Sequence, residues 1–199
     1  MNVDGKQMRP IWLDEDGVTV RVIDQRQLPH RLETMALTTV DEVIFAIQEM
    51  VVRGAPLIGV TGAYGVMVAA LTTMSRDAFA QACDRIKAAR PTAVNLAWAV
   101  DRVTAAVSHV SEQQARIEAV RHEAGIITQE EVDRCRSIGE HGASLVADIS
   151  RKKGGEAVNI LTHCNAGWLA CVEWGTATAP VYVAHEQGIE PPTRAARCL

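Results

Sequence analysis

The chain has 199 residues and a formal net charge of −4, from 20 basic and 24 acidic side chains. Hydrophobic residues make up 48% of it and aromatic residues 4%, so a substantial core can form, mainly from aliphatic side chains, in one domain or two small ones. No basic stripe marks a nucleic-acid surface, and the apolar runs stop short of the roughly 18–20 residues of a membrane helix. Residues 1–6 carry no signal-peptide pattern, and we expect a cytoplasmic protein without a nucleic-acid or membrane partner.

The amino-terminal part predicts a small β unit. Residues 11–13 and 18–23 read as strands, and the Asp-Gly turn between them is a hairpin signal. From Thr39 the period becomes helical, with a capping start at that residue. This first helix is predicted to end at Gly54 in the C′ position, with Pro56 opening the next helix at N1.

A helical region is predicted next. The helix over 56–72 is rich in small residues, and its three glycines indicate very close packing because an isolated helical glycine costs about 1 kcal/mol. Ser75 should cap a helix that ends near Ala89. Two more helices are expected over 93–107 and 111–151, the second interrupted around 125–128.

After a loop at 152–156, residues 157–163 read as a strand, and a helix is expected from 175 or 176 to 187. Residues 190–199 show neither a strand nor a helix pattern. The predicted fold class is α/β: a β-plus-helical domain (1–153) followed by the first strand and helix of a Rossmann-like parallel-sheet domain (154–199).

Two arginines stand at helix junctions, Arg53 before Gly54 and Arg90 before Pro91. A helix amino terminus with a neighbouring guanidinium is a good phosphate site. The alternative, that Arg53 is a helix carboxyl-terminal cation beside an ordinary glycine turn, stays open on these residues alone.

The five cysteines are odd in number and widely spaced, without a C-x-x-C pair, which predicts neither a disulfide framework nor structural zinc. Most should be buried, and Cys171 is assigned to the core. Cys164 differs because it ends its strand ahead of a predicted helix, whose amino terminus would favour a thiolate. A buried core cysteine is the alternative. His163 should face the other side of the sheet and is a poor base for Cys164.

No P-loop, G-x-G-x-x-G or G-x-S-x-G motif occurs, so no nucleotide or dinucleotide cofactor is expected. Three segments together resemble the methylthioribose-1-phosphate isomerase family, whose superfamily includes regulatory subunits of a translation initiation exchange factor and ribose-1,5-bisphosphate isomerases. They are residues 53–59 (RGAPLIG), 90–96 (RPTAVNL) and 161–167 (LTHCNAG). The likeness runs from about Arg9 to Ile189.

The resemblance implies conversion of 5-methylthioribose 1-phosphate to 5-methylthioribulose 1-phosphate in methionine salvage, by a homodimer without a metal or cofactor. It implies that Cys164 is catalytic and that Arg53, Gly54, Ala55 and Arg90 bind the substrate. The family's catalytic aspartate lies on later strands, and the pattern is lost after Ile189. The chain is therefore expected to be incomplete and weakly active or inactive. A ribose-1,5-bisphosphate isomerase, a non-catalytic regulatory subunit and an α/β domain with a core cysteine remain as alternatives.

Overall fold

The computed structural model describes residues 2–3, 5–189 and 196–197. The contacts form two compact units, Pro10–Gln129 on the one hand and Met1–Arg9 with Glu130–Leu199 on the other. The mixed α/β class is confirmed, while the Rossmann-like character and the domain division at residue 153 stay predictions. The strands are β1 (Asn2–Val3), β2 (Lys6–Gln7), β3 (Ile11–Leu13), β4 (Val20–Ile23), β5 (Thr34–Leu37), β6 (Leu161–Thr162) and β7 (Ala196–Arg197). The helices are α1 (Val40–Gln48), α2 (Ala55–Thr72), α3 (Arg76–Ala88), α4 (Val94–Ala106), α5 (Gln113–Lys152) and α6 (Ala179–Glu186).

The unit Pro10–Gln129 opens with the predicted hairpin, in which β3 and β4 pair antiparallel with Ile11 opposite Val22. In its turn, Asp16 Oδ1 accepts hydrogen bonds from the backbone N–H groups of Val18 and Thr19, both at 2.9 Å. A third strand, β5, pairs antiparallel with β4. This strand was not predicted, because only its last residue is buried and its residues show no alternation of apolar and polar side chains.

Helix α1 begins at the predicted capping box: Thr39 Oγ1 accepts from the Glu42 N–H at 3.2 Å, and Glu42 Oε2 accepts from the Thr39 N–H at 2.9 Å. The helix ends earlier than predicted, with Glu49 as its cap. Gly54 is therefore not the C′ residue of α1. It is the N-cap of α2, and Pro56 occupies the second position of that helix rather than the first.

Helix α2 is the core of its unit, with buried residues around its whole circumference. A Cβ added to Gly65 would lie 2.8 Å from Val43 Cγ1, and one added to Gly62 would lie 2.6 Å from Leu96 Cδ1. The predicted close packing at these glycines is confirmed. By length and composition, α2 is also the single described helix that could cross a membrane, as many buried core helices could, and most of it is buried here. The expectation that no apolar stretch reaches this length is wrong for α2.

The following helices lie close to their predicted positions. Ser75 caps α3, since its Oγ accepts from the Ala78 N–H at 3.1 Å. Helix α4 begins at Val94, one residue after its predicted start, and Pro91 lies in the turn before it. Helix α5 continues without a break through Gly125, because one exposed glycine leaves the backbone hydrogen bonds of a helix in place.

In the other unit, the predicted strand over 157–163 shrinks to Leu161–Thr162, which pairs in parallel with β7. The expectation that no strand pattern follows residue 189 is thus wrong at Ala196–Arg197. Helix α6 starts later than predicted and packs on α5 through glycines. A Cβ on Gly142 would lie 2.4 Å from Pro180 Cγ.

Candidate functional site

The junction ahead of α2 presents backbone amides and a cation. Val52 is fully buried, whereas Arg53 is exposed, and no residue that the structure describes forms an ion pair with its guanidinium. Gly54 has φ +99°, a conformation that a residue with a Cβ adopts only with strain. Gly54 offers no side-chain cap, so the first amides of α2, including that of Ala55, have no partner from it. An anion bound here would meet these amides and the positive end of the helix dipole.

A second junction of the same kind lies between α3 and α4. Arg90 is half-buried, and its carbonyl oxygen accepts from the Ala93 N–H at 2.9 Å, which closes the turn before α4. Within the described part of the chain, its guanidinium also lacks an ion-pair partner. The cap residue, Ala93, has no side-chain oxygen, so the first amides of α4 resemble those of α2 in lacking a side-chain acceptor there.

The packing of α2 on α4 brings these two junctions to one end of the helix pair. A Cβ on Gly59, in the second turn of α2, would lie 3.0 Å from the carbonyl oxygen of Asn95 in the first turn of α4. One turn further, Gly62 packs on Leu96. The two helices therefore begin side by side, with Arg53 and Arg90 each just ahead of a helix start. That Arg53 and Arg90 bind one phosphate together stays a prediction.

Cys164 lies in the other unit, two residues beyond β6. It is exposed, with φ +67°, and its thiol is free. The buried-core alternative for Cys164 is therefore excluded by its position. His163 is exposed too, and because the strand ends at Thr162, the predicted alternation does not extend to this pair. The predicted helix begins only at Ala179, so no helix amino terminus directly follows Cys164. Only a single 3-10 turn (Trp168–Ala170) precedes α6.

The segment after Cys164 is closed into a tight loop. The Thr176 N–H donates to the Ala166 carbonyl oxygen at 3.0 Å, and Gly175, at φ +76°, approaches the backbone so closely that a Cβ would lie 2.5 Å from Gly167 C. Thr178 Oγ1 donates to the Trp174 carbonyl oxygen at 2.6 Å and joins this loop to the start of α6. Backbone contacts therefore hold the segment that follows Cys164, and a thiol on a constrained, exposed turn is accessible to a small substrate.

A cluster that was not predicted lies beneath this loop. Glu131 and Cys135 of α5 and Cys171 of the loop are all buried, with exposed fractions of 5%, 0% and 1%. A hydrogen bond with Cys171, burial and the Glu131 charge raise the pKa of the Cys135 thiol far above its ordinary value. The i, i+4 spacing of Glu131 and Cys135 on one helix face was the available signal. Cys171 is in the core as predicted and directly follows the 3-10 turn.

The fold is α/β, with two helix starts that each follow an arginine and a cysteine after a parallel strand. Residues 13–191 of this chain match the model of the "Initiation factor 2 subunit family". The chain belongs to that family. It is 58% identical over 94% of its length to "Methylthioribose-1-phosphate isomerase" of Desulfosudis oleivorans, of which it covers 52%. The predicted resemblance to that enzyme is confirmed.

Among the solved structures that share this fold are an isomerase and a translation initiation factor subunit. One is 5-methylthioribose 1-phosphate isomerase from Pyrococcus horikoshii, with a TM-score of 0.80 at 34% identity, over 92% of this chain and 51% of the other. The second is translation initiation factor eIF-2B, subunit delta, from A. fulgidus, with a TM-score of 0.81 at 35% identity, over 96% of this chain and 54% of the other. The chain spans about half the length of the relatives it matches.

Proposed function

We propose that this chain supplies the phosphate-binding helices and the catalytic thiol of an isomerase that converts 5-methylthioribose 1-phosphate to 5-methylthioribulose 1-phosphate. The observation that carries the proposal is the 58% identity, over 94% of the chain, to a relative named for that substrate. The geometry supports it, because an exposed cysteine on a constrained turn and a paired set of helix starts are features that such a reaction needs.

The phosphate of the substrate is assigned to the junctions at Arg53 and Arg90. The amides of Gly54 and Ala55 and the dipoles of two helices starting side by side favour a doubly charged anion, and each guanidinium adds charge-assisted hydrogen bonds. Each charged hydrogen bond contributes about 1.5–3 kcal/mol. Neither guanidinium has an ion-pair partner among the described residues, and a bound phosphate would supply one to both.

Cys164 is assigned to proton transfer. The anomeric oxygen of this sugar carries the phosphate, so the ring must be opened with the help of an acid before hydrogen leaves C2 and arrives at C1. The C2 hydroxyl becomes the ketone, and the phosphate remains on C1. A positioned acid or base contributes about 10²–10⁴-fold to such a step. In this family, resemblance implies that the partner of the thiol is an aspartate on a later strand.

A second candidate function is that of a non-catalytic regulatory subunit. It is favoured by the likeness to the structure of translation initiation factor eIF-2B, subunit delta, whose TM-score is within 0.01 of that of the isomerase structure. Because the two folds are equally similar, the decision between them rests on chemistry. The proposed isomerase is a cytoplasmic homodimer with a Rossmann-like second domain. Sedimentation of the purified protein checks the homodimer.

The test is a chimera in which residues of this chain replace the matching 52% of the Desulfosudis oleivorans relative. Turnover is followed by ³¹P NMR, which separates an anomeric phosphate from the primary phosphate ester of the product. We expect turnover of 5-methylthioribose 1-phosphate well above that of ribose 1,5-bisphosphate. Cys164→Ser should lower kcat by about 10²–10⁴-fold.

Cys83→Ala is the matched control, because Cys83 is a buried thiol in α3 of the other unit and should leave kcat unchanged. A folded chimera without turnover, beside an active parent relative, contradicts the isomerase proposal in favour of the regulatory subunit. Full turnover in Cys164→Ser shows that the thiol has another role.

A further inference from the structure

Three metal-ligating side chains meet in the interior of the unit that holds Cys164. Glu131 and Cys135 lie one turn apart on α5, and Cys171 enters from the loop after the 3-10 turn. One carboxylate oxygen and both Sγ atoms lie within 4.8 Å of one another. All three residues are buried, unlike the exposed acidic groups that often cluster without binding anything.

The spacing of these atoms fits a tetrahedral ion. With bonds of about 2.3 Å to sulfur and about 2.0–2.2 Å to oxygen, a tetrahedral zinc separates sulfur from oxygen by about 3.5 Å and two sulfurs by about 3.8 Å. The Cys135 Sγ lies 3.4 Å from Glu131 Oε1, and the remaining separations are below 4.8 Å. The upper bound of 4.8 Å thus lies within about 1 Å of the sulfur–sulfur separation at a tetrahedral zinc.

The charges around the cluster also suit a divalent cation. Two thiolates, one carboxylate and M²⁺ sum to −1, and the Arg134 guanidinium, which forms an ion pair with Glu131 Oε2, brings the sum to zero. Without a metal, Glu131 Oε2 has the Arg134 guanidinium as its partner, whereas among the described residues Glu131 Oε1 accepts only from the weak thiol donor of Cys135.

We propose that Glu131, Cys135 and Cys171 bind a thiophilic divalent cation, zinc being the ion that best suits this set. On binding, each thiol loses its proton to solvent, two metal–sulfur bonds and one metal–oxygen bond form, and no electron is transferred. Three protein ligands leave the fourth position to water. The site connects α5 to the loop that follows Cys164, so the ion holds that loop in place. The inference is independent of the proposed isomerase reaction.

The test uses the 199-residue chain, reduced, freed of metal with a chelator and titrated with Co²⁺. We expect one equivalent to bind, with thiolate-to-cobalt charge-transfer absorption in the near ultraviolet and the strong visible bands of tetrahedral cobalt. Zn²⁺ should then displace the cobalt and abolish both bands. The bound metal should also raise the unfolding temperature of the chain, in proportion to the logarithm of the free metal concentration.

Variants locate the site. Cys135→Ser and Cys171→Ser should each weaken binding by more than about 100-fold, while Glu131→Gln, which keeps both thiolates, should weaken it about 10-fold and keep the charge-transfer band. Cys83→Ala controls for loss of a buried thiol elsewhere. Cys164→Ser controls for binding at the loop surface, where His163 and Cys164 are both exposed. Neither Cys83→Ala nor Cys164→Ser should change the bands.

The wild-type titration decides the matter even if a variant does not fold. Absence of the charge-transfer band at one equivalent overturns the proposal, as does a band that survives in both folded serine variants. Thiol counting under denaturing conditions gives a further decision. If the isolated protein lacks two thiols that return only on reduction, and Cys171→Ser does not show this loss, the cluster is a disulfide pair and not a metal site.

Discussion

Replacing Gly62 by alanine tests whether close approach of α2 and α4 shapes the unit that carries both arginines. The new Cβ would lie 2.6 Å from Leu96 Cδ1 and 3.4 Å from Val100 Cγ2. Leu96 is fully buried, so its side chain cannot turn into solvent, and the helices must separate or Leu96 must leave its rotamer. Such overpacking costs about 1–3 kcal/mol, against a helix-propensity gain of about 1 kcal/mol. The expected net change is a loss of about 1 kcal/mol.

Gly125→Ala is the matched control, because Gly125 lies in the interior of α5 with nothing within 4 Å of an added Cβ. The same substitution there has only the propensity term and should stabilise by about 1 kcal/mol. The two variants should thus differ by about 2 kcal/mol, or about 1 M in the midpoint of urea unfolding if m is about 2 kcal/mol/M. The measurement is urea unfolding followed by circular dichroism. Equal midpoints with equal m values would refute the claim that α2 and α4 are in contact at this glycine.

Three further predictions follow from local contacts. Thr39→Ala removes the capping box of α1 and should lower the free energy of unfolding by about 1 kcal/mol in urea melts, and an unchanged midpoint would show that the box contributes nothing. Hydrogen bonds from Arg26 hold the pKa of the nearly buried Asp24 below its ordinary value despite the opposing effect of burial. The folded state therefore gains stability from this carboxylate above about pH 4, and loses it as pH falls further. Asp24→Asn should flatten this acid dependence in melts between about pH 5 and 3, and an identical slope in both proteins would contradict it. In the chimera described above, Arg90→Gln should raise KM for the sugar phosphate by about 10–100-fold, the equivalent of one lost charged hydrogen bond. Arg76→Gln, which alters an exposed arginine bonded to the Val110 carbonyl, is its control, and an equal effect of the two changes would place the phosphate elsewhere.

Local signals in the sequence were sufficient for most helices. The capping oxygens of Thr39 and Ser75 mark helix starts because a side chain bonds to an amide only two or three residues away, which no distant contact alters. The hairpin at Asp14–Gly17 follows from the same kind of short-range bonding. The errors lie where the pattern is weak: β5 has no apolar alternation, and Gly125 does not interrupt a helix that its neighbours maintain.

For the candidate site too, the sequence predicts some features and not others. The types and positions of Arg53, Arg90 and Cys164 could be read directly from the sequence, since each stands beside a glycine, proline or strand end that marks a junction. Their surroundings could not. The exposure and positive φ of Cys164, and the role of Gly54 as an N-cap, depend on where the chain turns.

The sequence by itself thus determined the family, the helices with strong caps and the residues that can carry chemistry, because these depend on residue identity and contacts within a few positions. Only the tertiary structure placed α2 against α4 and thereby set two helix starts side by side. It alone brought Cys171 to Glu131 and Cys135. Such meetings join residues far apart in the chain, and they are decided by which buried faces pack together rather than by any local pattern.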